Sequence, residues 1–183
     1  MPQPKKKRGK DDSPESDRLY GKYRGICVDN VDPLRQGRIR IEVPEMSAMT
    51  STSWAMPCFP VAGIQSGVFA VPPVGAGVWV EFEAGDPDYP IWVGGYYGSS
   101  ADVPGAARAV PTEVSGFVIQ TALENSITVS DAPEPNGGIL IATPSGARIS
   151  VNDSGIEISN GKGARITLIG PSVSINNGAL AVI

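Results

Sequence analysis

Four carboxylates crowd one short stretch, Glu81, Glu83, Asp86 and Asp88. Glu81 and Glu83 stand two apart, so on a strand they share a face. Paired carboxylates on one face are what acid/base cleavage of a glycosidic bond uses. The partners of most other site chemistries are missing: the chain has no histidine, which excludes imidazole bases and histidine-held zinc or iron. Cys27 and Cys58 form no CxxC. Both sit in apolar, strand-like stretches, which favours buried thiols in a reducing compartment over a disulfide or a reactive thiol. The acids surround the turn Gly85-Asp86-Pro87-Asp88 and read as outer-face and turn residues, not as a catalytic pair or a metal site. The expectation is a protein that is not an enzyme and carries no catalytic residues, no cofactor and no metal.

Function must then reside in surfaces, and the strands decide which. In residues 116–183 the pattern apolar, any, apolar recurs eight times: Phe117/Ile119, Ile127/Val129, Ile139/Ile141, Ile149/Val151, Ile156/Ile158, Ile166/Leu168, Val173/Ile175 and Leu180/Val182. Turn-formers separate the pairs, among them Pro144-Ser145-Gly146, Asn152-Asp153-Ser154-Gly155 and Asn160-Gly161-Lys162-Gly163. Period two puts each pair on one face, opposite Ser150, Asn152, Glu157, Ser159, Arg165, Thr167, Ser174 and Asn176. Nothing further along the chain could cover that apolar face, so other copies must. Three sheets closed into a prism would bury it and leave few free edges. The expectation is an intertwined trimeric β-helix over residues 115–183, a shaft of roughly 40 Å at about 4.8 Å per strand. Its core would be Ile139, Ile141, Ile149, Val151, Ile156, Ile158, Ile166, Leu168, Val173, Ile175, Leu180 and Val182.

The remainder fits that frame. With 22 Gly and 17 Pro and no convincing helical periodicity, the chain reads as all-β with almost no helix. Residues 1–18 carry six basic and four acidic groups and almost nothing apolar, and are expected to be a disordered polar arm. The body is left with nine basic against fifteen acidic groups, a poor attractor for phosphate backbones. There is no run of 18 apolar residues and no apolar core behind the N-terminal basic residues, so a soluble chain made in the cytoplasm without a signal peptide is expected.

Residues 19–97 read as a small closed barrel of the OB type. Strands are expected at Tyr20–Val31, at Arg38–Val43 after the turn Asp32–Gly37, at a proline-broken edge over Trp54–Val61, at Gly67–Val71, at Gly77–Glu83 and at Tyr89–Tyr97. Residues 98–114, rich in small residues and proline, read as an extended linker.

An ordered series of motifs gives the barrel a family likeness. It runs Arg24-Gly25-Ile26-Cys27-Val28-Asp29-Asn30, Asp32-Pro33, Gly37-Arg38-Ile39-Arg40-Ile41, Trp54-Ala55, Pro72-Pro73-Val74-Gly75, Gly77-Val78-Trp79-Val80-Glu81-Phe82-Glu83-Ala84-Gly85-Asp86 and Pro90-Ile91-Trp92-Val93-Gly94-Gly95. Over roughly residues 20–98 this resembles the OB domain of contractile-tail spike proteins, the phage baseplate assembly protein V group and the VgrG-like spikes of contractile injection systems. The resemblance implies a homotrimeric central spike. It would sit under the baseplate hub and puncture the target envelope when the sheath contracts, as part of a phage virion or injection particle. It also implies a hub protein at the OB end, with Trp54, Trp79, Trp92, Tyr96 and Tyr97 as contact residues. Relatives with an inserted lysozyme domain or a histidine-held iron at the point differ from this chain, whose 17-residue linker and lack of histidine leave no place for either. The apolar ending Gly178–Ile183 suggests that a PAAR-like tip protein caps the spike.

A second reading is an OB protein that binds single-stranded nucleic acid. It needs a basic groove with stacking aromatics. The barrel offers Lys22, Arg24, Arg35, Arg38 and Arg40 against Asp29, Asp32, Glu42, Glu45, Glu81, Glu83, Asp86 and Asp88, a balance that disfavours it.

Overall fold

In the computed structural model, residues 18–46, 53–133 and 136–182 are described. The polar arm expected at the N-terminus therefore lies outside the description, except for Arg18. That residue is already tied to the barrel, donating from Nη1 to the Ala84 carbonyl at 3.3 Å. The chain forms two compact units that divide between Gly98 and Ser99.

In the first unit, alternation builds a barrel wall. In β1 (Tyr23–Asp29) Gly25 and Cys27 point inward and are buried, whereas Arg24, Ile26 and Val28 point out. Ile41 of β2 (Arg40–Glu42) and Val78, Val80 and Phe82 of β6 (Gly77–Phe82) are buried in the same way. β3 (Met56–Pro57) and β7 (Pro90–Tyr96) complete a five-stranded sheet in the order β2-β1-β6-β7-β3. Only β3 and β7 run parallel. The edge position of β3 suits Pro57, which has no N–H to give to a second neighbour. A bridge between Ile39 and Ala55, with N–H to O distances of 3.2 and 2.8 Å, joins the two edges and curls the sheet into a barrel. The core comprises Cys27, Ile39, Ile41, Val43, Ala55, Val78, Val80, Phe82 and Trp92.

One expected strand has moved. Gly67–Val71 is not a strand of the barrel. A two-residue ladder pairs β4 (Ala62–Gly63) with β5 (Ser66–Gly67) in a separate hairpin. Phe69 leaves it to pack against Phe59, with ring centroids 5.3 Å apart. Gly67, at φ +147°, explains the hairpin: a Cβ there would stand 2.6 Å from the Val61 carbonyl oxygen.

The second unit opens with a short helix, α1 (Gly105–Ala109), within the stretch expected to be extended. Alanine and arginine are good helix formers, and Pro111 disfavours helical backbone at Val110, which ends the turn. Eight strands follow as an unbroken antiparallel meander: β8 (Gly116–Gln120), β9 (Ser126–Ser130), β10 (Gly138–Ala142), β11 (Arg148–Asn152), β12 (Gly155–Ser159), β13 (Arg165–Ile169), β14 (Ser172–Ile175) and β15 (Leu180–Val182). The all-β fold with almost no helix, an OB-like barrel followed by a repetitive β region, agrees with the sequence reading. The eight strands pair in chain order into one sheet.

Gly25 is the tightest point of the barrel wall. An added Cβ would overlap Ile41 and stand 2.9 Å from Val80 Cγ2. Gly25→Ala should therefore destabilise the OB unit by about 1–3 kcal/mol, seen as an earlier chemical unfolding midpoint of that unit alone.

Candidate functional site: an unpaired apolar sheet face

Register turns the eight apolar pairs into two continuous rows. One runs Phe117, Val129, Ile139, Val151, Ile156, Leu168, Val173 and Val182, each opposite the next across the ladder. The other runs Ile119, Ile127, Ile141, Ile149, Ile158, Ile166, Ile175 and Leu180. The twelve residues expected to form the core thus share one face of one sheet with Phe117, Ile119, Ile127 and Val129. In the single chain this face is open. Thirteen of the sixteen are exposed, from Ile156 at 37% to Phe117 at 59%; Val173 and Ile175 are half-buried, and for Val182 only the backbone is described. Adjacent apolar side chains across a ladder support one another, but half of each still faces water.

The opposite face is more covered than the apolar one, the reverse of the usual order. Its central row, Val118, Thr128, Leu140, Ser150, Glu157, Thr167 and Ser174, is half-buried. The segment around α1 folds over its first strands: Ala106 N–H donates to Gln120 Oε1 at 2.9 Å, and Val110 sits against Gly116. A groove of about 510 Å³ remains on this face, lined in part by Ala109, Thr128, Ser150 and Glu157. Glu157 lies between two cations, 2.6 Å from Arg148 Nη2 and 3.9 Å from Arg165 Nη1. Sequence reasoning named most of the polar residues here. It missed Val118 and Leu140, whose apolar character does not fit the alternation of their strands.

The barrel aromatics divide. Trp92, expected at a hub contact, is only 6% exposed and donates from Nε1 to the Gly37 carbonyl at 3.1 Å, so it belongs to the core. Trp79 and Tyr96 pack together on the outside, centroids 5.1 Å apart, with the Arg24 guanidinium 5.4 and 5.3 Å from their rings. Trp54 is flanked by Arg38 and Arg40 at 5.5 and 4.9 Å, and Tyr97 is exposed. Arginines of the same chain therefore already stand over Trp54, Trp79 and Tyr96.

The carboxylates do not converge. Glu81 pairs with Lys22. Glu83 leaves the strand into a 3₁₀ turn (Glu83–Gly85), and Asp86 accepts from the Asp88 N–H at 3.0 Å. Among the described residues no group of three or more His, Cys, Asp or Glu side chains could hold a metal. Cys27 is buried and burial raises its thiol pKa; Cys58 is exposed, and neither forms a disulfide.

A heavily bonded carboxylate among the described residues is one the sequence did not single out. Asp32 Oδ1 accepts from Leu34 N–H at 3.0 Å and from Arg38 Nε and Nη2 at 3.1 and 2.6 Å; Oδ2 accepts from Gln36 N–H at 2.7 Å and Arg38 N–H at 3.3 Å. The Arg38 guanidinium, reinforced by the three backbone N–H groups and opposed by desolvation, holds the Asp32 carboxyl well below its usual range. The bonds staple the turn between β1 and β2. The only sequence signal was Asp-Pro followed by Gly-Arg.

The architecture defines a class: an OB barrel followed by a repetitive sheet with one continuous apolar face open to water. Residues 23–97 match the model described as type VI secretion system/phage-baseplate injector OB domain, and residues 116–181 match the phage baseplate V C-terminal trimerisation domain. The chain belongs to this family of baseplate spike proteins, and its role is structural, a spike-type component of a phage baseplate or type VI secretion apparatus. No curated protein matches the chain.

In an unfolded chain Asp32 titrates near the ordinary value of about 4, and in the fold well below it. Its stabilisation is therefore present above about pH 4 and lost as the pH falls towards the folded value. Asp32→Asn should lower the melting temperature of the OB unit at neutral pH and flatten its decline on acidification between about pH 4 and 2, measured by circular dichroism.

Proposed function

We propose that three copies of this chain pack their apolar sheet faces together into a stiff, VgrG-like spike. The spike sits under the baseplate hub and punctures the target envelope when the sheath contracts. The observation that carries this reading is the pair of uninterrupted eight-residue apolar rows, open to water in one copy. Burying the exposed half of each of the thirteen open residues contributes about 1 kcal/mol apiece. The resulting gain, on the order of 10 kcal/mol per chain, counts three times in a three-chain body and offsets two association steps that cost about 4–15 kcal/mol each. The family's trimerisation domain supports the number three. Because each chain supplies a whole sheet, the β-helix takes the form of a three-sided prism with one chain per face.

Stiffness follows from the same rows. Each strand is hydrogen-bonded to its neighbours within the chain and packed against two other sheets, which leaves no soft joint. The charged trio Arg148, Glu157 and Arg165 lies on the face turned outward, where it keeps the shaft wetted. Partners in this reading are a hub protein at the OB end, through Trp54, Trp79, Tyr96 and Tyr97, and a PAAR-like tip protein beyond Val182.

Ile158→Asp places three carboxylates at one level of the proposed axis, where they cannot be solvated. The wild-type chain should sediment at three times 19.1 kDa, and the variant as a single chain. A variant that still sediments as a trimer and keeps the heat resistance of the wild type contradicts the packing.

A further inference from the structure

We propose that the hairpin of β4 and β5 is a clasp between OB barrels, its apolar tip seated on Val31, Leu34 and Val74 of the next copy in the assembly. The hairpin is a finger without support of its own. Every residue from 60 to 70 is exposed, Ile64 at the tip by 97%, and Val61, Val68 and Phe69 by 58, 55 and 66%. Its ladder holds two residue pairs, and an isolated hairpin of that size is not stable in water. Gln65 at φ +53° takes the left-handed conformation that the two-residue turn between Gly63 and Ser66 asks of its second residue. At its base, Phe69 leans on Phe59, which meets Trp92 edge-on at 5.4 Å. The tip touches nothing comparable.

The chemistry of the finger names its occupant. From residue 46 to residue 80 the sequence contains no Asp, Glu, Lys or Arg, in a chain that is 19% charged. Loss of charge is the mark of the buried centre of a permanent interface, whereas surfaces that meet water or transient partners keep it. A second exposed apolar set lies on the same barrel, beside the exposed Arg35: Val31, Leu34 and Val74 are 78, 62 and 61% exposed. Their loops are joined where Asn30 Nδ2 donates to the Pro72 carbonyl at 3.0 Å and Gly75 N–H donates to the Cys27 carbonyl at 2.8 Å. A projecting finger and a separate receiving patch are what a closed ring of identical subunits requires, since each contact joins two different surfaces.

Proximity comes from the trimerisation domain, so the clasp rests on the three-chain reading. Only residues 98–115 separate the two matched domains, a reach of at most about 60 Å. Three barrels tethered that closely to one shaft meet at millimolar effective concentration, where a small apolar contact suffices.

The test replaces Ile64 in the full chain with the photo-crosslinking residue benzoylphenylalanine and illuminates the purified protein. Crosslinks between chains that map to Val31, Leu34 or Val74 are the expected result. Amide exchange at Val68, which donates to the Val61 carbonyl, should be at least about tenfold slower in the wild-type assembly than in the Ile158→Asp chain. Crosslinks confined to one chain, or formed only after other baseplate proteins are added, overturn the clasp. Unchanged exchange at Val68 also overturns it, while a mass of three chains leaves the trimer standing. A single-chain mass for the wild type overturns both.

Discussion

The structure depends on keeping sixteen apolar side chains in phase across eight strands. A strand has period two, so a slip of one residue in any pairing would carry that strand's apolar pair to the other face and break both rows. The turns hold the phase. Between β11 and β12, Asn152 Oδ1 accepts from the backbone N–H of Ser154 and Gly155 at 3.1 and 3.2 Å. Gly155, at φ +147°, closes the turn where a Cβ would overlap the Leu168 carbonyl oxygen. The side chain of Asn160 plays the same part in the next turn, accepting from Lys162 and Ala164 N–H groups. Short turns with built-in acceptors leave little room for slippage.

That constraint divides the chain into a part that completes its own core and a part that does not. The barrel core holds nine buried residues, Trp92 among them, and closes through the Ile39–Ala55 bridge. Its turn after β1 is pinned by the Asp32–Arg38 pair, whose side chains are 4 and 17% exposed. Such a pair is costly to desolvate, and here the backbone N–H groups around Asp32 offset that cost and define one loop geometry. Among its described residues the second unit has only Ala132 and Ser130 buried below a tenth of their surface. Two units of similar size with such different interiors follow from two different fates of apolar surface, covered within the chain in the barrel and left open along one face of the sheet.

The polar face of the sheet is where simple alternation is least informative. Val118 and Leu140 stand in a row otherwise made of Thr, Ser and Glu, close to the strands that α1 covers. Leu140 lines the groove together with Ala106, Ala109 and Val110 of the segment folded back over β8 and β9, and both side chains are half-buried in the single chain.

What the sequence determined by itself is what depends on local chemistry. Period-two pairs between turn-formers specified eight strands and the face each pair would share, and glycine, proline and alternation marked most of the barrel strands. Contacts between residues far apart in the chain were decided only by the tertiary structure. Trp92 looks like any exposed strand aromatic until the Gly37 carbonyl, 55 positions away, meets its indole N–H. Gly67–Val71 reads as a strand until its backbone finds a partner only at Ala62–Gly63, outside the barrel. Residues 98–114 read as extended until the sheet beneath Ala106 supplies Gln120 as an acceptor. Composition and spacing encode which side chains seek burial, whereas the identity of the covering group is a property of the closed fold.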